Sequence, residues 1–273
     1  MEKSLYLNES RGLEILRDGP SIWIRQEGKA GRRIPARLIG RVVIIGNLKL
    51  EAGAITLFTE NDIPVTFMNM RGEETAVTIP YNHNLPRHYE EQKIFLETEN
   101  NIQRVKNWIF AERRLLQLET MKRLSKGAAA VFTSKGFRES DYQRFIDAYI
   151  KGGQESWKIV NGVVSNLFRE MIIGSLIEAD LDPHMGVLHR RHNFGLVLDI
   201  CHMMGAAEDL QSLQFLRLCK DKAYMLKSQQ GQSVTKEGMK DIIHRFENRR
   251  KALYETLGRI LDDLFELMRE MRT

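Results

Sequence analysis

Cysteine is nearly absent from this chain: Cys201 and Cys219 are the two in 273 residues, both among apolar or helix-forming neighbours and neither in a CxxC pair. They read as buried thiols in a reducing compartment, which excludes a disulfide framework. Long apolar runs are missing as well. None approaches the length a bilayer span requires, and the opening MEKSLYLNES lacks the apolar core of a secretory signal, so the expectation is a soluble cytoplasmic protein. There is no low-complexity tract, no acidic or basic tail and no internal repeat. What remains is globular composition, 42% hydrophobic and 28% charged, at a length that suits two domains of ordinary size. The net charge of +5 and pI near 9.1 favour a polyanion partner, because clustered Lys and Arg bind phosphates by releasing condensed counterions.

The first eighty residues carry short strand signals separated by turn chemistry: Leu5 to Leu7, Leu13 to Leu16, then Ile22 to Arg25 between Pro20 and Gly28. Arg41 to Ile45 is a β-branched run closed by Gly46 and Asn47. A helical period from Leu50 through Ala54 to Phe58 follows, then an apolar run from Pro64 to Phe67, so strand, helix, strand is the simplest reading. Pro80, Asn82, Asn84 and Pro86 break the pattern. The expected organisation is α+β: a β-rich domain over 1–79, a linker over 80–88 and an all-α domain over 89–273. The helical part opens with one long helix, broken once at most, through Ile94, Val105, Ile109, Leu116 and Leu118. Helices are expected at about Ser140 to Ile150, Ser156 to Ala179, Phe194 to Met204, Val234 to Phe246 (capped by Ser233, with Lys236 at its third position) and Leu253 to Met271.

Three stretches point the same way. Ile34 to Gly72, IPARLIGRVVIIGNLKLEAGAITLFTENDIPVTFMNMRG, combines a strand, a Gly-Asn turn, a helix and an Ile-Pro-Val strand; Leu181 to His189 reads LDPHMGVLH; Val234 to Arg249 reads VTKEGMKDIIHRFENR. In this order and spacing they resemble the CRISPR-associated spacer integrases of the Cas1 family, over nearly the whole chain. The resemblance implies a subunit that dimerises through its β domain and works beside a small Cas2-like protein to insert short DNA fragments into a CRISPR array. It also implies a divalent metal, Mg²⁺ or Mn²⁺, held by a Glu, a His and an Asp, which activates a 3′-hydroxyl for direct transesterification.

Residue by residue, the catalytic pattern is incomplete. The family Glu opens a small-residue helix of the form E-G-x-A-A-x-x-Y or F, and the matching stretch here starts at Lys126, in KGAAAVF. An ammonium repels the cation that a carboxylate would ligate. In another register Glu119 is the acid, although it lacks the flanking small residues. His189 is retained; taken by itself it reads as a turn-capping His. Asp199 matches the first acid of the family's D-x-x-[DE] pair, and the second acid, usually the ligand, is His202. His189, Asp199 and His202 form a candidate soft metal set, with His184 or His192 nearby, suited to Zn²⁺ or Mn²⁺ better than Mg²⁺. Decay of the site is the alternative. Lys158 stands where the family has an Asn, and Asn161 follows three residues later.

Arg113, Arg114, Lys122, Arg123 and Lys126 recur at helical intervals, and Arg190 and Arg191 follow His189. These are the candidate DNA contacts; for any one of them a solvated face balanced by Glu112 and Glu119 is the plainer account. Trp108 and Trp157 read as core residues. Three functions follow: a DNA-binding subunit with impaired or absent catalysis, paired with an active relative or serving as scaffold; an active integrase or endonuclease with a rearranged site; or a dimeric interaction protein that has left DNA behind.

Overall fold

The computed structural model describes residues 3–69, 73–78, 85–150, 153–218, 224–228 and 231–272. Pro80, Asn82 and Asn84 of the expected linker, and Cys219, lie outside them. The chain divides into two units, 1–84 and 85–273.

The first unit runs β1 (Lys3–Asn8), β2 (Leu13–Asp18), β3 (Ser21–Gln26), β4 (Arg32–Pro35), a short 3-10 turn, β5 (Ile39–Ile45), β6 (Lys49–Leu50), α1 (Ala52–Glu60), β7 (Val65–Met68) and β8 (Glu74–Thr78). Two four-stranded sheets result, in the orders β1-β5-β7-β8 and β4-β3-β2-β6. β5 and β7 pair in parallel, with Val42 beside Val65 and Ile44 beside Phe67, so the chain must cross over between them, and α1 is that crossover. Gly46 ends β5 at φ +85, a backbone conformation open to glycine at little cost, and its amide donates to the Met68 carbonyl at 2.9 Å. Leu7, Ile15, Ile22, Val42, Leu57, Phe58 and Val65 form the core. Sequence reading missed β4, β6 and β8, which lack an apolar run. Val42 to Ile45 are all buried within the single chain, as befits a parallel strand flanked on both sides, so this apolar strand needs no partner to cover it.

The second unit runs α2 (Tyr89–Lys93), another 3-10 turn, α3 (Glu99–Leu124), α4 (Lys126–Lys135), α5 (Glu139–Ile150), α6 (Gln154–Glu178), α7 (Gly195–Leu218), β9 (Met225–Ser228), β10 (Gly231–Val234) and α8 (Lys236–Met271). The single break expected in the long helix through Ile94 and Leu118 falls at Thr98, whose side chain caps α3 by accepting from the Asn101 amide at 3.1 Å, while Ile94 lies in the 3-10 turn before it. Beyond the expected span Ser125 caps α4, accepting from the Ala128 amide at 3.3 Å. Three expectations need correction. The unit is helical but carries the antiparallel hairpin β9–β10. That hairpin takes up Ser233, so Thr235 is the N-cap of α8 and accepts from the Gly238 amide at 3.0 Å. The two closing helices are one, of 36 residues: the polar stretch between Phe246 and Leu253 contains neither Gly nor Pro, and the seven-residue gap between those buried positions is two turns of one face. Among the described residues no helix is long and apolar enough to cross a membrane.

α7 is the central helix, and it continues past Met204 to Leu218. It is tied by polar bonds on several sides: Thr120 Oγ1 of α3 donates to the Ala206 carbonyl at 2.9 Å, Tyr142 Oη of α5 to Asp209 Oδ2 at 2.9 Å, and Ser212 Oγ to Asn161 Oδ1 of α6 at 2.9 Å. Its middle carries two adjacent acids, Glu208 buried and Asp209 half-buried. Burial, reinforced by Asp209, pushes the Glu208 carboxyl up to about 8, and burial raises Asp209 to about 6 against the Tyr142 hydrogen bond. A folded-state pKa above the unfolded one means that Glu208 contributes stability fully below its ordinary carboxylate range. That contribution is lost as pH rises toward 8. Glu208→Gln is therefore expected to flatten the loss of stability between pH 5 and 8, by roughly 1.4 kcal/mol per pH unit at most. Urea unfolding of both proteins across that range checks this; parallel pH profiles would contradict it.

Candidate functional site

The stretch from Leu181 to Phe194 is a loop closed on itself by two glycines. A methyl group on Gly186 would lie 2.2 Å from the Gly195 carbonyl carbon, and one on Gly195 would lie 2.8 Å from the carbonyl oxygens of His184 and His189. Only a residue without a side chain fits at either place. Further bonds hold the crossing: the Leu196 amide donates to the Pro183 carbonyl at 3.1 Å, and the Phe194 amide to His184 Nδ1 at 3.0 Å. The loop's beginning is anchored by the fully buried Gln92 of α2. Its Nε2 donates to the Asp182 carbonyl at 3.1 Å, and its Oε1 accepts from the Asp182 amide at 2.7 Å.

The loop wraps around one carboxylate. Asp199, in the second turn of α7, is 1% exposed. Its Oδ2 accepts from the amides of Val187 at 2.5 Å and Leu188 at 3.2 Å; its Oδ1 accepts from the His189 amide at 3.0 Å and meets His189 Nδ1 at 2.7 Å. Against a carboxylate, which in its ionised form can only accept, Nδ1 is the donating nitrogen of the ring. Asp199 thus orients His189 and has no oxygen left for a metal.

His202 sits one turn further along α7, its ring centroid 6.5 Å from that of His189. Its Nε2 is buried without a hydrogen-bond partner, and Phe110 of α3 meets the ring edge-on at 6.0 Å. Burial first, then the Arg113 charge, holds its pKa below the usual histidine value. Arg113 is committed inward: its guanidinium donates to the His202 carbonyl and, through Nε at 3.1 Å and Nη2 at 2.5 Å, to Glu139. That removes Arg113 from the candidate DNA contacts. Glu139, at the start of α5, was not singled out by sequence reasoning, since an acid at a helix N-terminus is ordinary. Burial pushes its carboxyl up, but the bonds from Arg113 and Gln117 outweigh this and leave it below the usual range.

The other candidates scatter. Lys126 is exposed in the first turn of α4, and Glu119 is exposed on α3. Arg190, Arg191 and His192 are exposed in the loop, the last with its ring 5.7 Å from His189. His184 is spent on the Phe194 amide. Arg114, Lys122 and Arg123 are exposed on α3, Arg114 lying over the Phe137 ring at 5.6 Å. Lys158 is exposed, and Trp108 and Trp157 are half-buried. Among the described residues no three His, Cys, Asp or Glu side chains gather so as to hold a metal ion. The donors present do not fit the divalent centre that the resemblance implies: Asp199 is saturated, His202 Nε2 is buried, and a guanidinium lies beside them. The expected set of His189, Asp199 and His202 is corrected accordingly. It is a positioned histidine, its orienting acid and a buried imidazole.

The family model for CRISPR associated protein Cas1 matches residues 5–140, from β1 to the first turn of α5. No curated protein sequence matches the chain. Among solved structures, it is similar to a Cas1 protein from Thermotoga maritima, with a TM-score of 0.79 and 16% identity, covering 98% of this chain and 97% of that one. It is similar to a casposase bound to an integration product, with a TM-score of 0.74 and 14% identity, over 99% of this chain and 91% of that one. It also matches a chain of a Cas6-RT-Cas1–Cas2 complex, with a TM-score of 0.72 and 12% identity, over 99% of this chain and 35% of that one. At these identities the structural likeness establishes the fold.

The geometry makes Asp199 a structural residue. Asp199→Asn puts an amide donor where the backbone amides already donate, and is expected to destabilise the fold by about 3 kcal/mol, the scale of losing charge-assisted bonds in a buried site. His189→Ala, which removes one of the four bonds, is expected to cost about 1 kcal/mol. Denaturant unfolding of the two variants ranks them; equal effects would mean that the amides do not depend on the carboxylate.

Proposed function

The chain belongs to the Cas1 family, and from that premise we propose that it holds duplex DNA as a subunit of spacer acquisition, with strand-transfer chemistry weak or absent. The observation that carries the second half is the saturated Asp199 carboxylate beside His202, an imidazole where the family's second acid is expected. Lys126 at the family Glu position supports it. The first half rests on the exposed cations, Arg190 and Arg191 beside His189 and Arg114, Lys122 and Arg123 on α3. Among the structural relatives, the casposase is bound to an integration product and another lies in a complex with Cas2. A DNA-holding role beside a Cas2-like protein or an active relative fits that company. A surface that has lost a metal-binding carboxylate and kept its cations still suits phosphates. Self-association through the β-rich unit belongs to the same reading, on the family resemblance alone.

Fluorescence anisotropy with a labelled duplex tests binding. The logarithm of affinity is expected to fall linearly with the logarithm of salt, and Arg190→Ala with Arg191→Ala to shrink the slope by about 2, one for each phosphate no longer neutralised. In Mg²⁺ or Mn²⁺ the wild type is expected not to join a 3′-hydroxyl end to a target. Joining that His189→Ala abolishes would overturn the reading. Gain of metal-dependent joining in Lys126→Glu with His202→Asp would confirm the assigned positions.

A further inference from the structure

More than two turns beyond His202, α7 and α8 enclose a cavity of about 170 Å³ lined by Gln211, Gln214, Arg245, Asn248 and Arg249. Gln211 lies about 14 Å along the α7 axis from His202, at 1.5 Å per residue, so the cavity is separate from the His189 loop. Its lining holds two arginines and three amides and no acid. Gln211 is 8% exposed, and its Nε2 is buried with no hydrogen-bond partner. A buried amide donor without an acceptor is costly unless something fills the space beside it.

The arginines are arranged as oddly. Arg249 is half-buried, has no ion pair among the described residues, and is held below the usual arginine range by burial and by the charges of Arg123 and Arg245. Arg245 gives Nε to Asp241 Oδ2 at 2.7 Å, so one carboxylate stands against three guanidinium groups that feel one another. Asn248 is partly engaged, with Nδ2 and His244 Nε2 3.0 Å apart. Guanidinium does not shed its proton in a protein, so relief must come from an anion. Two planar forks from successive turns of α8, with an amide donor facing them from α7, present more donors than a carboxylate has oxygens to occupy. A tetrahedral oxyanion suits them. The volume is several times the roughly 30 Å³ share of one water.

We propose that Gln211, Arg245 and Arg249 form a phosphate-binding pocket between α7 and α8, distinct from the His189 loop and independent of the DNA-holding reading. The phosphate group is the recognised chemistry; a backbone phosphodiester of DNA and free phosphate are its two sources.

Thermal unfolding of the full chain in inorganic phosphate, against chloride at matched ionic strength, tests the site. Phosphate is expected to raise the Tm saturably, and Arg249→Gln and Gln211→Leu to weaken apparent phosphate affinity at least tenfold, while Arg190→Ala with Arg191→Ala leaves it unchanged. Without phosphate, Arg249→Gln is expected to melt no lower than the wild type, since it relieves repulsion; an arginine that merely packs would show the opposite. If phosphate at constant ionic strength weakens duplex binding by the wild type and not by Arg249→Gln, the source is DNA. If Arg249→Gln binds duplex with wild-type affinity while losing the phosphate effect, the source is free phosphate. No saturable stabilisation, or the same stabilisation in Arg249→Gln and Gln211→Leu, overturns the proposal.

Discussion

Four donors converge on the Asp199 carboxylate: three consecutive backbone amides, Val187 to His189, and the His189 ring. Buried amides left unpaired are costly, and here a single side chain satisfies three of them. The carboxylate therefore acts as the nucleus of the loop, and the loop in turn determines where Arg190 and Arg191 emerge. The Gly186–Gly195 crossing brings the loop back onto the start of α7, within reach of the acid; Asp199 then fixes its path. Neither device works without the other.

The same helix distributes very different electrostatics along its length. Near its start the buried Asp199 carboxylate accepts from four donors. In the middle, desolvation raises the pKa of both Glu208 and Asp209. Toward its end, Gln211 faces arginines from α8. Asp199 and Glu208 are both nearly inaccessible and differ in the partners around them.

Much of this was legible in the sequence. The β-branched run of β5, its Gly46 turn and the crossover through α1 follow from short-range pattern. The unity of α8 was hidden because a charged stretch imitates a linker when one looks for apolar spacing; what decides is the absence of a breaker. β4 and β8 were hidden because they are edge strands without an apolar run, each paired only to the strand before it, β3 and β7. At the site, the motif positions were visible and their roles were not. Asp199 and His202 lie three residues apart on one helix, which suggests a shared ligand, but the direction from which backbone amides approach Asp199 is a tertiary fact. Arg113 looked like one of a row of surface cations. Its inward turn depends on the His202 carbonyl and on Glu139, 26 residues away in sequence. The pocket between α7 and α8 was invisible for the same reason, since Gln211 and Arg249 belong to different helices.

Because the Asp199 carboxylate holds backbone amides, selection on foldedness alone is enough to preserve it, and the two glycines with it. The side chains of Lys126 and His202 make no hydrogen bond to the loop among the described residues, so a change at either leaves its path alone, whereas losing Asp199 removes what holds it. The His-and-Asp signature is then a record of architecture, and a motif search keyed to it counts silent descendants together with working enzymes.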